Sequence, residues 1–230
     1  MKYKYRHFNE FIYHVFLILF GVIMLYPLIW MFFSALKPNV EIFKNISLIP
    51  QTWTFENYIS GWQGISGVTY GRFFANSFLI VFFAVIGNLL SCSLAAYAFS
   101  KLQFPLKNIW FMLMLGTLML PIHVKLIPQY IMYNQFGWVN TYLPLIVPKF
   151  LATDGFFVFL MTQFMRALPK EIDEAAIMDG CNEFSMYAKI IMPLSVPTLV
   201  TTSIFTFLWT WNDFFSQMIY INDVKKFTIS

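Results

Sequence analysis

The chain has 230 residues, of which 59% are hydrophobic, 20% aromatic and only 11% charged. Soluble domains carry about 25% charged residues, so no soluble core could hide this much apolar surface, and much of it must face lipid. The formal net charge of +4 is small. It fits scattered juxtamembrane Lys and Arg and argues against a nucleic-acid site, which would gather basic residues on one face.

The N-terminus has a basic start (Lys2, Lys4, Arg6) and an apolar run from Phe11 to Leu36. That run exceeds the roughly 7–15 residues of a signal-peptide core, and no small-residue cleavage site follows. It is read as a retained first span. A polar stretch from Lys37 to Arg72 carries turn signals at Lys37-Pro38-Asn39 and Gly61–Gly67. Its Trp53, Tyr58 and Trp62 suit a membrane interface. At about 20 apolar residues per crossing, four more spans are expected over 73–99, 109–131, 142–168 and 190–220. The basic connection Lys101–Lys107 joins the second and third, and the charged segment Pro169–Lys189 joins the fourth and fifth. The expected fold class is an all-α polytopic membrane helix bundle, with residues 1–230 forming a single transmembrane domain.

Spans three and four are irregular. Pro121, His123, Lys125 and Pro128 lie in one; Pro144, Pro148, Lys149 and Asp154 lie in the other. Prolines free carbonyls that neighbours must satisfy, and charges at membrane depth face protein or water. Lys149 and Asp154 are five residues apart, roughly 140° around a regular helix. Each is therefore expected to find a partner on another helix or to face a pore. Lys and Arg in the short loops set orientation. One side holds Lys2, Lys4, Arg6, Lys101, Lys107, Arg166, Lys170 and Lys189; the other holds Lys37, Lys44, Arg72, Lys225 and Lys226. This bias places the N-terminus and the 169–189 segment in the cytoplasm.

The densest charge lies in Pro169-Lys-Glu-Ile-Asp-Glu-Ala-Ala-Ile-Met-Asp-Gly180. Pro169 suits a first helical turn, Glu171, Asp173 and Glu174 favour the positive end of the dipole, and Gly180 suits the stop. Asn182 can cap a second short helix. Helical spacing groups Ile172, Ala175, Ala176 and Asp179 on one face, where paired alanines allow close approach of a partner. On spacing alone, a solvated amphipathic loop helix is the favoured reading of the segment.

Other sites are sparse. Cys92 and Cys181 show neither metal spacing nor a disulfide framework. His7, His14 and His123 have no ligand spacing or nucleophile partner. No phosphate-cradling G-x-x-x-x-G-K-[ST] run occurs, so an ATP-driven process would need its ATPase in a partner. For a substrate path, Lys149, Asp154, Asn212 and Asp213 offer polar groups, and Trp209 and Trp211 an aromatic platform. Pairing and hydrogen bonding between helices remain the structural alternative.

Glu174-Ala175-Ala176, Asp179-Gly180, Ile190 and Pro193 resemble the EAA loop of ABC importer permeases, with Met192 where a Leu is usual and Cys181 where a small residue follows the Gly. Further along the chain, Tyr26-Pro27-Leu28-Ile29-Trp30, Phe74-Ala75-Asn76-Ser77, Gly137-Trp138-Val139-Asn140-Thr141 and Trp211-Asn212-Asp213-Phe214 are similar to the maltose-type carbohydrate permeases. The resemblance implies a type I ABC importer permease fold and one half of a translocation pathway in a carbohydrate importer. It gives Glu174, Ala175, Ala176, Asp179 and Gly180 the role of docking a cytoplasmic ATPase. It also implies a sister permease forming a heterodimer, an ATPase dimer using ATP and Mg, and an extracytoplasmic solute-binding protein. This chain itself would hold no cofactor, metal or nucleic acid and would carry out no covalent chemistry. It would lie among lipid in a bacterial or archaeal cytoplasmic membrane. Family members usually have six spans, so a sixth is expected after Ser230. Two alternatives stay open: the same machine with a non-sugar cargo such as glycerol phosphate or a peptide, and an ion-coupled secondary transporter. A non-transporting membrane scaffold is a third.

Overall fold

The structure, a computed structural model, describes residues 2–44 and 47–230, without the side chains of residues 2–9, 43, 122 and 123. The side chains of Lys2, Lys4, Arg6, His7 and His123, which entered the reading above, lie outside the described residues. Contacts divide the chain into two compact units, residues 1–70 and 71–230, the boundary falling where the polar stretch gives way to the second apolar run. The described residues form helices and connections without a strand, as an all-α bundle requires.

The first unit contains α1 (Lys2–Ala35), α2 (Asn39–Lys44) and α3 (Glu56–Trp62). α1 runs through Pro27 without ending. From Phe11 onward it is apolar on every face apart from His14, the composition of a helix surrounded by lipid or other apolar helices. The chain after it is tied down by polar bonds. Asn57 Nδ2 donates to the carbonyls of Ala35 (3.1 Å) and Lys37 (2.6 Å). Lys37, counted above among the loop charges, is only 1% exposed and donates to the Ser47 carbonyl. Glu41 accepts from the Gln51 N–H at 2.8 Å and the Thr52 hydroxyl at 3.1 Å. The Gln51 bond first, then Thr52 and the charge of Lys37, hold its carboxyl below the usual range against a smaller desolvation.

The second unit is organised by α4 (Tyr70–Ser100), a helix with no proline between its ends. One stripe is buried, including Ile80, Ala84, Gly87, Asn88, Cys92, Ser93 and Ala96, a spacing near 3.6 residues. Phe78, Phe82, Leu90 and Leu94 point outward. Most of the stripe is small, which lets neighbouring backbones come close where lipid removes the hydrophobic drive for helix association.

The expected span 109–131 is not one helix. α5 (Lys107–Leu118) stops, Pro121 turns extended at φ −55° and ψ 137°, and α6 (Ile122–Gln135) starts. Proline has no N–H to continue the ladder and excludes the helical region for the residue before it. The expected span 142–168 is likewise interrupted. α7 (Leu143–Ile146) passes into a 3₁₀ turn over Val147–Leu151, Ala152 adopts φ +51°, and α8 (Gly155–Ala167) follows. After α9 (Lys170–Met178) and α10 (Glu183–Met186), a π-turn over Tyr187–Ile191 leads through α11 (Met192–Leu194) to α12 (Val196–Trp211) and α13 (Phe214–Tyr220). The chain bends by 76° between Glu183–Leu194 and Val196–Trp211, where Pro193 and Pro197 flank Ser195. By length and composition, three helical stretches could each cross a membrane: Glu10–Ala35, Tyr70–Ser100 and, across its 3₁₀ turn, Leu143–Ala167. The bent pair is a fourth candidate, and these counts are of the described residues.

Two apolar clusters lie along α4. Near its start, Ile80 packs with Tyr133, Leu145, Tyr220 and Ile221. Near its end, Cys92, Ala96 and Tyr97 pack with Phe157, Met161, Met165, Tyr187 and Ile191. The segment after α13 is held by the recognised motifs. Asn76 Nδ2 donates to the carbonyls of Lys225 (3.0 Å) and Phe227 (2.8 Å). Asn140 Oδ1 accepts from the N–H groups of Asn222 (3.2 Å) and Asp223 (3.0 Å).

Gly87 marks the tightest approach on α4. A Cβ there would meet the Phe150 ring at 2.7 Å and the Lys149 carbonyl carbon at 3.1 Å, whereas one on Gly116 would meet nothing within 4 Å. Gly87→Ala should therefore lower the midpoint of thermal unfolding in detergent, at a cost of about 1–3 kcal/mol. Gly116→Ala should be neutral or stabilising by about 0.4–1 kcal/mol. Equal midpoints for the two variants would contradict this packing.

Candidate functional site

Two regions gather the polar chemistry, and the first is the turn between α9 and α10. Pro169 sits just ahead of α9 in an extended conformation, and Glu171 and Asp173 occupy the first turn. The helix stops as expected. Gly180 has φ +77°, and the Cys181 N–H bonds back to the Ala176 carbonyl at 3.0 Å. A Cβ on Gly180 would meet nothing within 4 Å, so the constraint there is backbone conformation, not space. Asn182 Oδ1 accepts from the Ser185 N–H at 2.8 Å and caps α10.

The turn is anchored to the end of α4. Lys101 Nζ lies 2.7 Å from Asp173 Oδ2, and the Tyr97 hydroxyl donates to Glu183 Oε2 at 2.7 Å. The alanines that spacing placed on one face have different surroundings. Ala176 is 3% exposed and packs in the apolar cluster at the end of α4, whereas Glu174, Ala175, Asp179 and Gly180 are exposed. The exposed side also shows Ile177, Met178 and Phe184, which spacing did not single out. Their signal was large apolar side chains inside the most charged segment of the chain.

The second region is a cleft of about 850 Å³ between α4, α6, the α7–α8 break, α12 and α13. It is lined by Lys149, Asp154, Trp209, Asn212 and Asp213 from the expected set. Trp211 is not among the lining residues; its ring packs on Phe74, Phe78 and Phe207, with centroids 6.3, 5.0 and 5.5 Å away. Lys125, Gln129, Thr210, Ser216 and Tyr220 also line the cleft. Their four-residue spacings (125 and 129; 216 and 220) were the available signal, but the break at Pro121 hid which face they share.

Lys149 and Asp154, expected to find separate partners, pair with each other at 2.8 Å. The 140° argument assumed a regular helix, but the intervening chain is a 3₁₀ turn followed by the left-handed Ala152. The same Asp154 Oδ2 accepts from Asn88 Nδ2 at 2.6 Å, and Asn88 also donates to Thr206 Oγ1 at 3.1 Å. The Ser91 hydroxyl donates to the Lys149 carbonyl at 2.6 Å. The carboxylate thus joins α4 to the break, and Asn88 extends the link to α12.

The match to known proteins follows this geometry. The family model for the "binding-protein-dependent transport system inner membrane component" matches residues 87–225. The chain is 37% identical to the probable ABC transporter permease protein YurM of Bacillus subtilis, covering 94% of this chain and 70% of that one. It is 30% identical to the diacetylchitobiose uptake system permease NgcG of Streptomyces coelicolor, over 94% and 71% of the two chains. It is 31% identical to the sn-glycerol-3-phosphate permease UgpE of Salmonella typhi, over 92% and 76%. In fold it is similar to the crystal structure of a bacterial ABC transporter that imports the acidic polysaccharide alginate. There the TM-score is 0.84 at 21% identity, covering 96% of this chain and 76% of the other. The chain belongs to the inner membrane components of binding-protein-dependent transport systems, and is thus a multi-pass protein of the cytoplasmic membrane.

Proposed function

We propose that this chain is a permease subunit of an ATP-driven carbohydrate importer, forming half of the translocation pathway beside a sister permease. A cytoplasmic ATPase dimer, with its own ATP and Mg, binds the α9–α10 turn, and an extracytoplasmic binding protein delivers the sugar. The N-terminus and the turn lie in the cytoplasm, in line with the Lys and Arg bias. The observation that carries the reading is the exposed turn itself: Glu174, Ala175, Ile177 and Met178 face outward, while Asp173 and Glu183 are bonded to the end of α4. A partner that grips this turn pulls directly on α4, and α4 lines the cleft through Ile80. A nucleotide-dependent partner can then bias inward- and outward-open states.

The cargo assignment is supported by the likeness to a diacetylchitobiose permease and by the hydroxyl-bonding groups around Trp209. A non-sugar reading is favoured by one observation, the likeness to a glycerol-phosphate permease. Uptake of neutral sugars against glycerol 3-phosphate by the assembled importer separates the two.

The two alanines divide docking from folding. Ala175→Leu should leave the thermal midpoint of the purified chain unchanged and abolish co-purification of the ATPase. Ala176→Leu should lower the midpoint, at a cost of about 1–3 kcal/mol. If Ala175→Leu keeps a full complement of ATPase, the docking role of this face is lost.

Gly180 gives a second check. Gly180→Asn, which tolerates the left-handed region, should retain ATP-dependent uptake. Gly180→Val pays the left-handed penalty of about 1–2 kcal/mol and distorts the turn, so uptake should fall while membrane insertion persists. Equal uptake by the two variants would remove the turn from the coupling path.

A further inference from the structure

The side-chain hydrogen bonds of Asp154, among the described residues, all run through Oδ2: Lys149 at 2.8 Å and Asn88 at 2.6 Å. Asn88 is fully buried and approaches from the protein side. The side chains of Lys149 and Asp154 are 24% and 26% exposed, and both line the cleft. The outer edge of the pair therefore presents an acceptor, Asp154 Oδ1, beside the remaining N–H donors of the Lys149 ammonium. The Trp209 indole lines the same cleft and offers an apolar face.

We infer that the Lys149–Asp154 edge binds a pair of neighbouring hydroxyls on an uncharged sugar, with Oδ1 accepting from one hydroxyl and Lys149 donating to the other. This rests on the carbohydrate reading above and goes beyond it by naming the contact and the charge class of the cargo. Each hydroxyl of a vicinal diol can donate and accept, so one can donate to Oδ1 while its neighbour accepts from Lys149. The charges of the cleft argue for a neutral ligand: two lysines, Lys125 and Lys149, face two aspartates, Asp154 and Asp213. A cargo with its own charge would meet no net opposite charge there and would compete with the existing pair. Asn88 is a positioning residue. Its bonds to Oδ2 and Thr206 hold the carboxylate plane before cargo arrives, so less ordering remains at binding.

The test uses the complete importer in proteoliposomes: this chain, its sister permease, the ATPase and the binding protein. Four probes are offered with ATP: a neutral glucose disaccharide, a neutral N-acetylglucosamine disaccharide, a uronate disaccharide and glycerol 3-phosphate. A neutral disaccharide should be imported, and one of its monodeoxy analogues should move roughly tenfold or more slowly, as expected where a site bonds the missing hydroxyl. The binding protein also discriminates, so the decisive reading is the change on mutation. Asp154→Asn and Lys149→Met should each bring parent and analogue rates within about twofold, a convergence that misfolding does not produce. Asn88→Leu should raise the apparent KM for the loaded binding protein by a larger factor than it lowers the maximal rate. Import of acidic probes alone, or full discrimination in both variants, would overturn the inference and leave the importer reading standing. ATP-dependent import of none of the four would instead defeat the importer reading.

Discussion

The carboxylate of Asp154 is the point on which the arrangement of the second unit depends. It lies at the end of an irregular stretch that follows α7, where the backbone has abandoned the α-helical ladder. Such a stretch is tolerated at membrane depth only when buried in protein or lining a cavity. Here both conditions hold on different sides. Asn88 and Ser91 meet the break from α4, and the other side opens on the cleft. Removing the charge of either Lys149 or Asp154 would leave the other ion, about a quarter exposed at the cleft, without its 2.8 Å counter-charge.

This polar node separates two apolar regions along α4. Ile80 and Asn88 are eight residues apart, roughly 12 Å of helix, and Cys92 begins the second cluster one turn further on. Apolar packing at each end positions the helices, and the node sets their register. The close approach at Gly87, where the backbone of Lys149 and the ring of Phe150 come against α4, is possible because that stripe is made of small residues. On α4, Ile80 lines the cleft, and the end of the helix is bonded to the α9–α10 turn.

Much of this was legible in the residues. The apolar runs at 11–36 and 73–99 correspond to α1 and α4, because a long proline-free or tolerant apolar stretch has no better structure in lipid. The stop at Gly180 and the cap at Asn182 are local chemistry, readable from a few neighbours. The breaks at Pro121 and in 147–154 were signalled by their prolines, but their geometry was not. Assuming a continuous helix there put Lys149 and Asp154 apart when they are joined. Trp211 shows the same limit: its neighbours in sequence, Trp209 and Asn212, line the cleft, while its own ring turns toward the aromatic side chains of α4.

The sequence by itself determined that the chain lives in a membrane, where its longest helices run, and where the charged turn stops and restarts. Those are consequences of transfer into lipid and of backbone preferences acting over a few residues. The tertiary structure alone decided that Ala176 is core while Ala175 is surface, that Lys37 is buried, and that Asn88, Asp154 and Thr206 meet across residues 66 and 118 positions apart. Helical periodicity says which residues share a face; it does not say what that face meets, because long-range contacts follow from where proline lets the chain turn.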